Sequence, residues 1–290
     1  MNPMPVRKAI FPVAGLGTRL LPATKTIPKE LLTIVDRPLI QYAVDEAREA
    51  GIEQMIFVTG RGKAALDDYF DIGFELETTM RERGKSLDAL DPSRTEYGEI
   101  VSDRQQQPLG LGHAVWCARY AVGDEPFAVL LPDDLMVGKP GALKQMMEAY
   151  RELGGNIICA QDVPADKTGS YGIVTPGATK GAATEVKGLV EKPRPEDAPS
   201  SLGVVGRYIL QPEVMEILGR GETGAGGEIQ LTDGMAKLVG TQPFHALAVN
   251  AVRHDCGDRA GYVLANLAIA MEREDLRARI EEYLASFRRD

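Results

Sequence analysis

Apolar and polar positions alternate in two different styles along this chain of 290 residues. In the first half, short continuous apolar runs suited to buried strands alternate with stretches whose apolar residues recur at helical spacing. The strand series opens at 9–13 and continues with QMIFVT at 54–59, EIVSD at 99–103, FAVLL at 127–131 and NIICAQD at 156–162. Between the first two, apolar residues at 39, 40, 43, 44 and 47 mark one helical face that Gly51 ends. Further helices are expected at 63–70, 113–121 and 142–153, and the charged segment 74–90 reads as a helical excursion of unassigned role. This rhythm predicts an α/β fold: a Rossmann-like, mostly parallel central sheet flanked by helices, with ligands beyond the carboxyl ends of the strands.

Beyond Leu153 the pattern shortens. Strands are expected at 171–175, ahead of a Pro-Gly turn, and at 185–191, 204–210, 244–249 and 252–255. A glycine-rich stretch at 219–227 leads into a helix at 231–239. Leu276, Ile280, Leu284 and Phe287 then fall at helical spacing, which predicts a tail helix packed on its own core or against a sister subunit. No Ser/Pro-rich linker divides the chain. The expectation is a single domain with a first half at about 1–155, a smaller β-rich part at about 156–258 and a helical tail at about 259–290.

The first apolar run breaks into Gly15-Leu16-Gly17-Thr18-Arg19, where bare backbone N–H groups have room to approach a phosphate. Neither common glycine fingerprint is present. A dinucleotide loop needs a third glycine where Leu20 stands, and a Walker loop needs Lys-Ser/Thr where Thr18-Arg19 follow Gly17. Lys25, Lys29 and Arg37 add positive charge beside the loop, although 33 basic against 42 acidic residues leave the whole chain at −9. Local sign matters more here than net charge.

An acidic balance without basic clusters interleaved with aromatics argues against a nucleic-acid partner. Three scattered cysteines, Cys117, Cys159 and Cys256, suggest neither a disulfide framework nor a structural zinc, and place the protein in the reducing cytoplasm. Arg7-Lys8 and the run after them imitate a signal peptide, but the run is short, carries Pro12 and lacks a small-residue cleavage site. The stretch 262–271 is about half of what a membrane crossing needs, so no membrane association is expected.

The whole string G-L-G-T-R-L-L-P-A-T-K-T-I-P-K-E-L-L from Gly15 resembles the signature of sugar nucleotidyltransferases. With Pro12-Val13-Ala14 before it and Pro38-Leu39-Ile40-Gln41-Tyr42 after it, the form is similar to the bacterial UTP–glucose-1-phosphate uridylyltransferases, also called UDP-glucose pyrophosphorylases. Matching motifs run in the family's order from about Lys8 to Tyr262. The resemblance implies transfer of uridylyl from UTP to α-D-glucose 1-phosphate with Mg²⁺, a nucleotide half followed by a sugar half, and a homodimer or homotetramer.

Two anions must meet in such a reaction, so cations and positioning matter more than a protein nucleophile. The resemblance assigns Arg19 and Lys29 to the triphosphate and the departing pyrophosphate. It assigns Ala14, Gly15, Gly17, Thr18, Glu30, Gln105 and Gly110 to the nucleotide, with Gln105 reading the base through a carboxamide that donates and accepts. Gly172, Glu191 and Lys192 match the sugar-phosphate motifs, and Asp133 with Asp255 in HDCGDRAGY the Mg²⁺ ligands. Asp134 and Asp258 read as turn or capping residues, and His113 and His245 as structural. Arg259 stands where the family usually shows Lys. A transferase using dTTP or another sugar phosphate, and a non-catalytic nucleotide-sensing homologue, remain alternatives.

Overall fold

A computed structural model describes residues 3–286, so Phe287 of the tail stripe lies outside the described residues. Strand β1 (Lys8–Pro12) is followed by the short pair β2 (Thr33–Ile34) and β3 (Arg37–Pro38) and by helix α1 (Leu39–Ala50). Then come β4 (Gln54–Thr59), α2 (Ala64–Phe70), α3 (Phe74–Glu82), β5 (Ile100–Arg104), α4 (Leu111–Cys117), α5 (Arg119–Val122), β6 (Phe127–Leu130), β7 (Asp134–Val137) and α6 (Ala142–Leu153). The second part holds β8 (Asn156–Asp162), β9 (Gly172–Lys180), β10 (Ala183–Glu191), β11 (Leu202–Leu210), α7 (Glu213–Gly219), α8 (Leu231–Ala236), β12 (Phe244–Leu247) and β13 (Val252–Asp255). Helices α9 (Arg259–Glu272) and α10 (Glu274–Ser286) form the tail.

Nine strands form one sheet in the order β5-β4-β1-β6-β11-β8-β12-β10-β9. The first four pair in parallel, with Ile10 opposite Ile56 and Val129. The expectation of a mostly parallel sheet therefore holds in the first half and fails for the whole, which is mixed. Strand β11 runs antiparallel to both β6 and β8, and β10 runs antiparallel to β12 and β9. Burial explains why the pattern did not reveal this. From Gly203 to Leu210, β11 is buried on both faces and so lacks the apolar–polar alternation of a half-exposed antiparallel strand, with Arg207 as its one charged residue.

Other departures from expectation are local. The segment 74–90 is helical only to Glu82, and residues Asp88–Ser93 form a 3₁₀ turn containing Pro92. The helix expected at 113–121 starts at Leu111 and breaks at Ala118. Strand β9 runs through Pro176-Gly177 rather than turning there; Pro176 stands opposite Val186 between two register shifts of the β9–β10 pairing, an irregularity where a missing N–H is tolerated. Strand β7 and helix α7 had no expectation; β7 is a four-residue strand whose partner is β13, about 120 positions away.

Alternation along the strands builds a core on each face of the sheet. Phe11, Phe57 and Phe70 meet edge to face on one side with Met146 and Tyr150, while Ile10, Ile56 and Val129 pack on the other against Val115 of α4 and Leu218 of α7. A smaller cluster joins Ile34, Leu39, Leu135, Cys256 and Ala265, so the tail helix α9 presses the β7–β13 pair onto the first half.

One buried ion pair crosses this core. Arg207 of β11 is 1% exposed, and its Nε and Nη2 donate to the Glu46 carboxylate of α1 at 2.7–3.1 Å. Its Nη1 donates to Leu131 O and Gly206 O, while Glu46 Oε1 also accepts from Leu143 N at the start of α6. Every partner is satisfied, which is what allows two charges to be buried at all. Arg207→Met should destabilise the fold by about 3–5 kcal/mol by stranding Glu46, and adding Glu46→Gln should recover part of the loss. Urea denaturation of the three proteins measures both.

Candidate active site

Parallel strands β5, β4, β1 and β6 end on one side of the sheet, and the loops after them carry Gln105, Lys63, the glycine loop and Asp133. Two adjoining cavities, of about 530 and 510 Å³, open there. The first is walled by Ala14, Gly15, Gly17, Thr18, Lys29, Gln105 and Gly110. The second is walled by Gly172, Glu191, Lys192, Lys167, Thr232 and Asp255. Arg19, Asp133, Leu111, Leu131 and Glu228 line both, so the two spaces communicate past a cation and a carboxylate.

Strand pairing assembles the charged centre. Asp133 immediately precedes β7 and Asp255 ends β13, and the antiparallel register sets Asp255 opposite Asp134. Cys256 N donates to Asp133 O at 2.7 Å, and Gly257 N donates to Asp255 Oδ1 at 3.0 Å. A Cβ on Gly257 would lie 2.5 Å from Arg19 Nη2, 2.9 Å from Asp133 Oδ2 and 3.0 Å from Asp255 Oδ1. The guanidinium and both carboxylates thus face one point left open by a missing side chain.

Lys29 Nζ donates to Asp133 Oδ2 at 2.6 Å, and the Lys29 stem passes beside Gly15. Burial alone would discharge both groups. Each instead charges the other, so the Asp133 carboxyl is held below the ordinary carboxylate range and the Lys29 ammonium above the ordinary lysine range. The pair's contribution to stability is therefore fully present between those ranges. It fades as pH falls through the lowered Asp133 value or rises through the raised Lys29 value.

Glu30 and Asp134 differ from their sequence readings. Glu30 lines neither cavity; it is fully buried, accepts from Lys63 Nζ at 2.7 Å and leaves Oε1 without a partner. Asp134 is no turn or cap: its carboxylate accepts from Arg253 Nε at 2.8 Å and from Gly206 N at 2.8 Å, bridging β13 and β11. Burial pushes its carboxyl up, against the pull of the Arg253 guanidinium. Arg253 also donates to the Tyr171 hydroxyl at 3.1 Å, in the second cavity. Asp258 does cap a helix, accepting from Gly261 N at the start of α9.

The β9–β10 register places Glu191 opposite Gly172, so two separate motifs become one wall. A Cβ on Gly172 would meet Thr232 Oγ1 at 2.8 Å and Glu191 Oε2 at 3.3 Å. Lys192 adopts φ 46°, uncommon for a side chain of its size, and its Nζ rests 3.2 Å from Glu191 Oε1. Gly110 has φ 107°, and a Cβ there would strike Glu228 Cβ and Ile229 O within 2.8 Å. Ile229 N donates to Leu109 O, and Gly112 N donates to Ile229 O, so segment 228–230 closes over the junction. Sequence reasoning gave Lys167, Arg253 and Gly257 no role, and read Glu228 and Thr232, in the family-like string from Gly226 to Asp233, only as part of a shaped turn and helix start near the sugar without firm contacts.

Residues 8–272 match the family model described as nucleotidyl transferase. A UTP–glucose-1-phosphate uridylyltransferase of Komagataeibacter xylinus is 53% identical over 257 residues, 88% of this chain and 90% of that protein. The enzyme of the same name from Bacillus subtilis (strain 168) is 46% identical over 281 residues, covering 96% of each. Among solved structures, a UDP-glucose pyrophosphorylase complexed with UDP-glucose superposes with a TM-score of 0.83 at 40% identity, covering 93% of this chain and 100% of that one.

Gly257→Ala tests the shared centre. The backbone there suits any residue, so the melting temperature should stay within about 3 °C, whereas affinity for inorganic pyrophosphate, read by calorimetry, should fall about tenfold or more as Arg19 is displaced.

Proposed function

The chain belongs to the nucleotidyl transferase family, and from that membership we infer that it transfers the uridylyl group of UTP to α-D-glucose 1-phosphate, forming UDP-glucose and pyrophosphate. The observation that carries this reading is the pair of communicating cavities, one walled by the glycine loop and Gln105, the other by Glu191 and Lys192, with Arg19 and Asp133 between them. The first half of the domain binds the nucleotide and the β-rich part binds the sugar.

The phosphate of the sugar is already an anion and needs no base. Its oxygen attacks the α-phosphorus of UTP in line, and the bond to the leaving pyrophosphate breaks. Arg19 forks onto phosphate oxygens and Lys29 supplies a point charge beside Gly15, so negative charge developing on the leaving group meets fixed cations. Ala14, Gly15, Gly17 and Thr18 offer backbone to the nucleotide, and Gln105 and Gly110 hold the base. Lys192 takes the sugar phosphate and Glu191 accepts from sugar hydroxyls while Gly172 lets the ring lie close. Glu30 acts from behind the wall, keeping Lys63 and the phosphate loop in place.

Asp133 and Asp255 fit Mg²⁺. They are two hard oxygen donors around a space that a single Cβ would fill. Mg²⁺ takes few protein carboxylates, retaining waters and accepting phosphate oxygens. When bound, it would neutralise the triphosphate and help align the reacting oxygens.

Self-association as a dimer or tetramer is assigned to the tail, where Val263 and Leu264 of α9 are 62% and 58% exposed. Among the described residues no helix is long and apolar enough to cross a membrane. The three free thiols fit a reducing cytoplasm.

A panel of UTP, dTTP, CTP and GTP against sugar 1-phosphates, with Mg²⁺ omitted as control, should release pyrophosphate fastest from UTP with glucose 1-phosphate; fastest release from another pair would overturn the specificity. Lys192→Ala should weaken glucose 1-phosphate binding by about ten- to a hundredfold while leaving UTP affinity within about twofold. Equal loss of both ligands in calorimetry would remove Lys192 from the sugar phosphate.

A further inference from the structure

Gln105 is held by two contacts behind the wall of the nucleotide cavity. Its Nε2 lies 3.0 Å from Gly110 O and 3.0 Å from His113 Nδ1. A backbone carbonyl only accepts, so the atom facing Gly110 O is the amide nitrogen, and the orientation of the carboxamide follows. Its second N–H then points at His113 Nδ1, which must be the unprotonated ring nitrogen, with the proton on Nε2. Burial, and after it the Arg119 guanidinium, lower the His113 pKa, which favours the neutral ring that this contact requires. Arg119 is itself stacked 3.7 Å over Trp116, whose ring lies beside that of His113.

Both donors of the Gln105 carboxamide are therefore spent inside the protein, and among the described residues its Oε1 accepts nothing. The side chain thus offers the cavity an acceptor and no donor, in place of the donating and accepting carboxamide expected from sequence. An imide N3–H, as in uracil, complements that surface; the bare N3 of cytosine meets it lone pair to lone pair. We propose that His113 is a positioning residue for base selection: by occupying the second amide hydrogen it makes Gln105 accept-only, so that the pocket takes imide bases and rejects cytosine. Thymine carries the same imide, so this device does not separate it from uracil. The inference rests on the uridylyl-transfer reading and adds the means by which the base edge is read.

His113→Phe keeps a flat ring and removes the acceptor, while His113→Asn returns an acceptor at the place of Nδ1. In His113→Phe the preference for UTP over CTP in kcat/KM should fall about tenfold or more, through KM, with kcat at saturating UTP within about twofold of wild type. His113→Asn should keep the wild-type preference. An unchanged preference in His113→Phe, or an equal loss in both variants, overturns the proposal. Should His113→Phe fail to fold, a long-range ¹H–¹⁵N correlation spectrum of the wild-type chain decides: an unprotonated Nδ1 on His113 supports the assignment and a protonated Nδ1 overturns it. A wild-type chain without UTP turnover would refute the reaction assigned above, and equilibrium binding of UTP and CTP to the same three proteins would still judge His113.

Discussion

Bringing two polyanions into contact is the constraint on which this architecture depends. The answer is a short antiparallel pairing, β7 with β13, that sets Asp133 and Asp255 around one open point facing Arg19. Lys29 completes the arrangement by holding Asp133 ionised and being held ionised in return. Opposite charges at this spacing in a partly desolvated cleft interact far more strongly than on an open surface.

Such a centre is only as well placed as the strands behind it, and these are tied by buried ionic links. Asp134 joins Arg253 of β13 to Gly206 of β11, and the neighbouring Arg207 joins Glu46 of α1 to the carbonyl of Leu131. Leu131 and Asp133 lie on the same short loop and line both cavities. The rigid core therefore reaches the charged centre through hydrogen bonds with no unsatisfied member on these two arginines. In this tight a network a misplaced group is costly, because a shift of about 1 Å can slow a positioned reaction by about a hundredfold.

Conformation and bulk are spent in the same region. Lys192 is one of two non-glycine residues with positive φ among those described, and it stands on the wall of the second cavity. Gly172 and Gly257 mark places where a single added carbon would strike a side chain that the site needs. Backbone cost is tolerated where geometry must be fixed before substrate arrives.

Much of this was legible from residue order. The apolar runs located β1, β4, β5 and β6 but not the short β2, β3 and β7, because only a longer buried strand leaves a readable apolar run, and the contiguous string from Gly15 to Leu32 marked out the glycine loop with Arg19 and Lys29. Strand direction was not legible, since β11 is buried on both faces and shows no apolar–polar alternation. Nor were the roles of Asp134, Arg253 and His113, each of which is defined by a partner distant in sequence or hidden behind a wall. Local sequence determined which chemical groups this protein owns. Only the folded sheet decided which of them meet, because pairing register and burial depend on residues more than a hundred positions apart.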